Sequence, residues 1–269
     1  MNLIEIGDLS ARDIRAIWVL ASQPAKSLTG TVAWSFEGRG VRTRTTFMQA
    51  FRDLGLAVTE LPGLLKTPER ACDLAGYLDP FYALYVLRES DHQRLREFAA
   101  HSCRPVINAM SSQQHPCEVL SDAWFIETTL KPLTELKIGL WGPMTNVFWS
   151  WHELGRVLGL ELVHFCPPQC HTTGGTGHYR SAPDTQVDIL ITDGWPADFD
   201  LSDWSLSLTM LAHLGQPRLL PTPPFSIGRE LEFDPLSYPG FTGYAQKRAL
   251  LPVQRAILAF SVGHGRVPA

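Results

Sequence analysis

The stretch FEGRGVRTRTTFMQAFRDLG, Phe36 to Gly55, packs Arg39, Arg42 and Arg44 around Gly38 and Gly40 in a chain whose formal net charge is -4. An acidic chain that gathers guanidinium groups in one short segment is equipped for a small anion. The long backbone of a nucleic acid would call for an overall basic field. The segment also has a shape. A strand over TVAWSF ends near Phe36, and the helix face Phe47, Ala50, Phe51, Leu54 begins near Thr43, so the arginines stand on a strand-to-helix loop. Such a loop aims backbone N–H groups and the positive end of the helix dipole at one point, where an anion is stabilised. Arg42, with Arg39, adds forked donors that match phosphate oxygens. The competing expectation is that these arginines pair with Glu37 and Asp53 at the surface.

Two further stretches fall at equivalent places. FYALYVLRES ends a buried strand with Arg88, and INAMSSQQHPCEVLSDAW ends the next strand and opens a helix with His115 and Pro116. Ligands of an open parallel sheet gather outside the carboxyl ends of its strands, which is where Arg42, Arg88 and His115 are expected. Other chemistry-bearing residues read more blandly. Cys166, Cys170, His171 and His178 include zinc-type ligands, but the spacing between the cysteines is not a zinc spacing, and the segment reads as an ordinary loop with no metal. Cys117 reads as a small helix-start residue, GLWGPMTN lacks a dinucleotide fingerprint, and Lys66 in LLKTPER reads as a solvated loop lysine.

The elements that carry these residues alternate. After an amphipathic helix in DLSARDIRAIWVLASQ come TVAWSF, TTFMQAFRDLG, AVTEL, TPERACDLAGYL, FYALYVLR, a helix from Asp91 to Ala100, PVINAM, and a helix from Pro116 to Leu130. KPLTE, Lys131 to Glu135, reads as a hinge. Beyond it stand KIGLWG, NVFWSWHELGRVLG, ELVHF, a long loop CPPQCHTTGGTGHYRSAPDTQ, VDILITD, PRLLP, and a last helix YAQKRALLPVQRAILAF with Pro252 as a kink or broken start. The expected fold class is α/β with two doubly wound parallel-sheet domains. One covers 1–132, with the helix 244–262 packing back on it, and the other covers 133–243. A length of 269 residues and 45% hydrophobic content suffice for both cores. No apolar run is long enough for a membrane helix, and five cysteines without framework spacing suit a reducing compartment, so the expected place is the cytoplasm.

At these residues the sequence resembles the aspartate and ornithine carbamoyltransferase family. The family's F-E-x-x-S-T-R-T-R-x-x-F is similar to Phe36, Glu37, then Arg42-Thr43-Arg44 and Phe47; its Arg after the third strand matches Arg88; its H-P-T-Q-x-L-x-D looks like His115 to Asp122. GPMTNV is similar to the ornithine branch's G-D-G-N-N, and DILITDGW to its D-V-V-Y-T-D-x-W. The resemblance implies transfer of a carbamoyl group from carbamoyl phosphate to an amine, without metal or other cofactor, in a homotrimer whose domains flank the active cleft and are bridged by the first and last helices. It implies donor contacts from Arg39, Gly40, Val41, Arg42, Thr43, Arg88, His115, Glu118 and Pro223, with Arg88, His115 and Arg42 catalytic and with Glu37 and Arg44 bracing the loop. Asn146, Asp193 and Thr222 fall on the acceptor side, and Asp193 reads equally as a strand-end cap. The chain departs from the pattern at Gly40 and Val41, which replace Ser and Thr, at Glu118, which replaces Gln, and at Thr242, near which the ornithine enzymes carry an Arg. Two other readings therefore remain open: a catalytically silent relative that binds an anion or a partner subunit, and the same fold with a different donor.

Overall fold

The computed structural model describes residues 1–38, 40–173, 175–197 and 202–263. They divide into two compact units, Met1–Trp124 together with the segment from Arg248 onward, and Phe125–Lys247. Among the described residues no helix is long and apolar enough to cross a membrane.

The first unit begins with α1 (Ala11–Ala21), opened by a capping box in which Ser10 and Asp13 each accept the other's backbone N–H. Then follow β1 (Thr31–Phe36), α2 (Val41–Asp53), β2 (Ala57–Glu60), α3 (Ala71–Leu78), β3 (Leu84–Arg88), α4 (His92–His101), β4 (Val106–Met110) and α5 (Pro116–Phe125). The strands form a parallel sheet in the order β2-β1-β3-β4. Successive side chains of a strand point to opposite faces, and the two faces are covered differently. Ala33, Tyr85, Leu87 and Val106 join a core with Leu74 and Ala75 of α3 and Leu95 and Phe98 of α4. Trp34 points the other way, against Phe36, Phe47 and Phe51 at ring distances of 4.8, 5.7 and 5.5 Å. Burial of Phe47 and Phe51, each worth roughly 1.5–3 kcal/mol, fastens α2 to the sheet and fixes where its first turn stands.

The second unit has a parallel sheet of β5 (Ile138–Trp141), β6 (Leu162–Phe165), β7 (His178–Arg180), β8 (Ile189–Thr192) and β9 (Arg218–Pro221), in the order β7-β6-β5-β8-β9. Its helices are α6 (Asn146–Leu158), α7 (Leu208–His213) and α8 (Gly243–Lys247). One face packs Trp141, Val163, Phe165, Leu190 and Leu219 against Leu211 of α7 and Leu206, Leu231 and Tyr238. The chain then returns to the first unit as α9 (Leu250–Gly263), which packs on α1 and α2 and ties to the latter through Arg255 and Asp53 at 3.0 Å.

Three local differences from the sequence expectations have physical causes. The stretch expected as one loop from Cys166 contains β7, a three-residue edge strand held by pairing with β6 and too short to signal itself. The short helix α7 was not expected either; Ser207 caps it by accepting the Met210 N–H. The helix expected to run from Pro116 to Leu130 is α-helical only to Phe125 and continues as a π-helical turn over Ile126–Leu130. The broken start expected of the last helix is found: it is interrupted at Arg248 and Ala249, which places Pro252 in the first turn of α9, where its missing N–H leaves no hydrogen bond unmade.

Candidate active site

Pairing of β1, β3 and β4 sets Phe36 opposite Arg88 and Arg88 opposite Met110. The segments that follow these residues therefore lie along one carboxyl rim of the sheet. Phe36 and Arg88 share the α2 face, and the guanidinium carbon of Arg88 stands 5.2 Å from the Phe36 ring centroid. Gly40, the N-cap of α2, closes the turn over both. Its φ of 30° and ψ of 43° are left-handed, and a Cβ there would meet Phe36 Cε1 at 2.2 Å and Arg88 Nη1 at 2.9 Å. The backbone of the arginine loop thus rests directly on the Arg88 head. No side chain caps α2 and no acid occupies its first turn, so its leading N–H groups keep their partial positive charge at the rim.

The remaining loop residues sort by contact. Arg42 is exposed, and among the described residues its guanidinium has no ion-pair partner. Val41 is 68% exposed, while Thr43 is buried on the α2 face with Phe47. Arg44 pairs with Glu60 at 2.8 Å and lies 5.0 Å from the Phe36 ring, so it braces the turn. Arg88 is half-buried, and that burial pulls its guanidinium below the ordinary range, with the Glu37 charge working the other way. Arg39 lies outside the described residues.

Glu37 and Glu89 sit one residue past Phe36 and Arg88, and Lys66 meets both. Its ammonium is hydrogen-bonded to Glu89 and stands 3.5 Å from Glu37, whose carboxylate accepts the Ser90 N–H at 2.7 Å. The Ser90 hydrogen bond, with help from Lys66, holds Glu37 below the usual carboxylate range, while the Glu89 contact lifts Lys66 above the usual lysine range. One expectation is corrected here, and one is extended. Among the described residues Arg42 and Arg44 do not pair with Glu37 or Asp53, since Glu37 is taken by Lys66 and Asp53 by Arg255, while Lys66 is exposed as a loop lysine is expected to be and is ion-paired as well. Sequence reading missed this cluster, although Glu89 directly follows Arg88.

His115 precedes α5 and is buried, as is Glu118 one turn on. Its position is set by a small hub at Ser111, whose hydroxyl meets His92 Nδ1 at 2.8 Å, accepts the Gln114 N–H at 3.1 Å and accepts Asn108 Nδ2 at 3.2 Å. Cys117 donates its thiol to the Asn108 carbonyl at 3.5 Å, and burial pushes that thiol well up, which suits a packing role and not a nucleophile.

The second unit has its own carboxyl rim, where Trp141 stands opposite Thr192 and Thr192 opposite Pro221. Asn146 is the first residue of α6, capped by Thr145, whose hydroxyl accepts the Phe148 N–H at 3.3 Å. Asp193 and Thr222 are buried one residue beyond β8 and β9, and the hydroxyls of Thr192 and Thr222 have no hydrogen-bond partner among the described residues. Gly142, at φ 122°, lets the loop before α6 pass under Trp195, since a Cβ would fall 2.6 Å from Trp195 Nε1. Glu230 clamps that side, accepting the Trp195 N–H at 2.9 Å and the Ser226 N–H at 2.7 Å. The Pro223-Pro224 bond is cis. His171 bonds the Cys166 carbonyl at 3.3 Å, Cys166 is pushed up to about 12 by burial, and among the described residues no three His, Cys, Asp or Glu side chains converge on a metal position.

Comparison with known proteins matches residues 1–128 to the family described as aspartate/ornithine carbamoyltransferase, carbamoyl-P binding domain. The ornithine carbamoyltransferase of Methanoculleus marisnigri is 26% identical over 257 residues, 86% of this chain and 83% of that one. That of Desulfotalea psychrophila is 33% identical over 179 residues, 62% of this chain and 59% of that one. The fold is that of solved ornithine carbamoyltransferases: the one from Burkholderia thailandensis has a TM-score of 0.88 at 21% identity, covering 99% of each chain, and the one from Pyrococcus furiosus 0.87 at 22%, covering 98% and 97%.

Proposed function

The chain belongs to the aspartate/ornithine carbamoyltransferase family, and on that premise we propose that it moves the carbamoyl group of carbamoyl phosphate onto an amine of an amino acid or related small metabolite, releasing phosphate. The phosphoryl oxygens are held by the uncapped N–H groups of Gly40 to Thr43, by Arg42 and by Arg39, and Thr43 adds its hydroxyl. Arg88 and His115 donate to the carbonyl oxygen. The neutral amine attacks the carbonyl carbon, the C–O π pair moves onto oxygen, and these donors meet the charge that develops there. Collapse re-forms the carbonyl and breaks the bond to the phosphate oxygen, and the proton lost by the amine leaves with phosphate as hydrogen phosphate. Glu118 accepts from the carbamoyl NH₂, and Pro223 completes the donor contacts. Asn146, Asp193 and Thr222 bind the acceptor. The working form is a cytoplasmic homotrimer.

The observation that carries this proposal is the seating of the Gly40 backbone on the Arg88 head, 2.9 Å from a would-be Cβ to Nη1, because it joins the amide-rich turn and the half-buried cation at one point. Incubation with carbamoyl phosphate and a panel of amino acids and diamines, read by mass, should give one product heavier by a carbamoyl group. No product with any amine refutes the activity. One observation favours a second reading, an anion-binding relative without catalysis: Val41 puts an exposed apolar side chain where the family places a hydroxyl. Calorimetry separates the two, because only an enzyme has to bind carbamoyl phosphate in preference to phosphate.

A further inference from the structure

Two buried histidines that the proposed reaction does not use lie behind the loop that leads into α6. His152 is on α6 and His164 on β6. Their hydrogen bonds fix their protons. The Gly142 carbonyl can only accept, so His164, whose Nε2 is 2.9 Å from that oxygen, carries its proton on Nε2. Its Nδ1 is then an acceptor and receives the Nε2 proton of His152 at 3.0 Å. His152 is left with an accepting Nδ1, and the Gly177 N–H donates to it at 3.1 Å. Each ring is neutral and held in one tautomer by a backbone group at the far end of the chain of bonds.

The rings are also stacked. Tyr179 lies 5.8 Å from His152 and 5.2 Å from His164, at 25° and 28°, His171 stacks on Tyr179 at 5.0 Å, and Phe148 meets His164 edge-on at 5.1 Å. The titratable and charged groups around the pair are His171, Tyr179, Cys166 and Cys170 from the segment after β6, and Glu153 and Arg156 on α6 itself. Burial sets His152 down to about 4 and, with smaller effects from its histidine neighbours, His164 to about 3.

We infer that His152 and His164 are positioning residues: their relay from Gly177 to Gly142 holds the 142–146 loop in place for acceptor binding, and a proton taken up by either ring releases it. Protonated His152 would aim an Nδ1–H at the Gly177 N–H, and protonated His164 would aim one at His152 Nε2–H, so either event sets donor against donor. The inference rests on the assignment of Asn146 to the acceptor.

Long-range proton–nitrogen NMR correlations on the full, histidine-labelled chain should show both rings neutral with the proton on Nε2, from about pH 7 to about pH 5. His152→Phe and His164→Phe keep a ring in the stack and delete the relay; His171→Phe stacks outside it and serves as control. Hydrogen exchange of the backbone at 141–148 should quicken about tenfold in the two relay variants and not in the control. In carbamoyl transfer, the acceptor KM should rise about tenfold in both, with the carbamoyl phosphate KM within about twofold of wild type. An Nδ1–H tautomer or a charged ring in the wild type overturns the relay whether or not the variants fold, and so does unchanged exchange in folded variants. Wild-type protein that transfers nothing yet shows the tautomers and the exchange effect would sink the proposed reaction while supporting the relay.

Discussion

Gly40→Ala tests the donor site at its tightest point. The left-handed φ of 30° costs an alanine about 1 kcal/mol. Contact costs more, because the new Cβ would stand 2.2 Å from Phe36 Cε1, 2.6 Å from Cζ and 2.9 Å from Arg88 Nη1. Phe36 cannot turn aside, since it stacks on Trp34 at 4.8 Å and is 8% exposed, so the loop has to move. Overpacking of this kind costs typically about 1–3 kcal/mol, which with the backbone cost gives roughly 2–4 kcal/mol. In a chain of this size that lowers Tm on the order of 4–16 °C. The same shift draws the α2 amides away from Arg88, and affinity for carbamoyl phosphate should fall about tenfold or more. Scanning and titration calorimetry on Gly40→Ala, Phe36→Leu and the double variant check the geometry. Leucine lacks the Cε1 and Cζ atoms, so in its presence Gly40→Ala should cost only the backbone share, leaving a coupling of about 1–3 kcal/mol between the two sites. Additive effects, or a Gly40→Ala protein that binds as wild type, would refute the close packing of loop, ring and guanidinium.

Arg88→Met keeps length and loses charge, and kcat should fall about 10²–10³-fold; a loss under about tenfold in initial-rate assays removes Arg88 from the reacting carbonyl. Asp193→Asn should raise the acceptor KM about tenfold and leave carbamoyl phosphate binding alone, whereas a pure strand-end cap would lower Tm without touching KM. Lys66 has its folded pKa raised above 10.5, so its stabilisation is whole below that pH and fades as pH climbs through the higher folded value. The stability advantage of wild type over Glu89→Gln, followed by tryptophan fluorescence in urea, should therefore shrink above about pH 10.5. His152 behaves in the opposite sense. Its folded pKa of about 4 lies below the ordinary 6.5, so the neutral ring stabilises fully above that value and the benefit drains away as pH falls toward 4. Relative to His152→Phe, wild type should lose stability below about pH 6.5 with a slope on the order of 1.4 kcal/mol per pH unit, and a flat difference would mean that the ring charges freely in the fold.

Much of the first sheet could be read from residues alone, because β1, β3 and β4 are apolar runs that end in chemically distinctive positions: Phe36 before the arginine loop, Arg88, and Met110 before the His115 loop. The start of α2 was harder to place, since it rests on the backbone angles of Gly40 and not on a capping side chain. β7 was hidden because its extended form comes from a neighbour across the sheet. The site was legible where one residue type decides the matter, as with an arginine at a strand end. It was illegible where partners come from distant segments: Lys66 reaches Glu89 across 23 positions, Trp195 leans on Glu230 across 35, and His152 meets His164 only because α6 folds back over β6. The expected arginine pairings failed for the same reason, since Glu60 is the partner of Arg44 and Arg255 the partner of Asp53.

Adjacency of β1, β3 and β4 in the first sheet also acts as a ruler. Neighbouring strands are spaced about 4.8 Å apart, so the three rim segments together span about 10 Å. A compact phosphorylated metabolite can touch all three at once. The backbone thus sets the reach of that rim, and side chains such as those at positions 40 and 41 change the groups presented along it without changing its width.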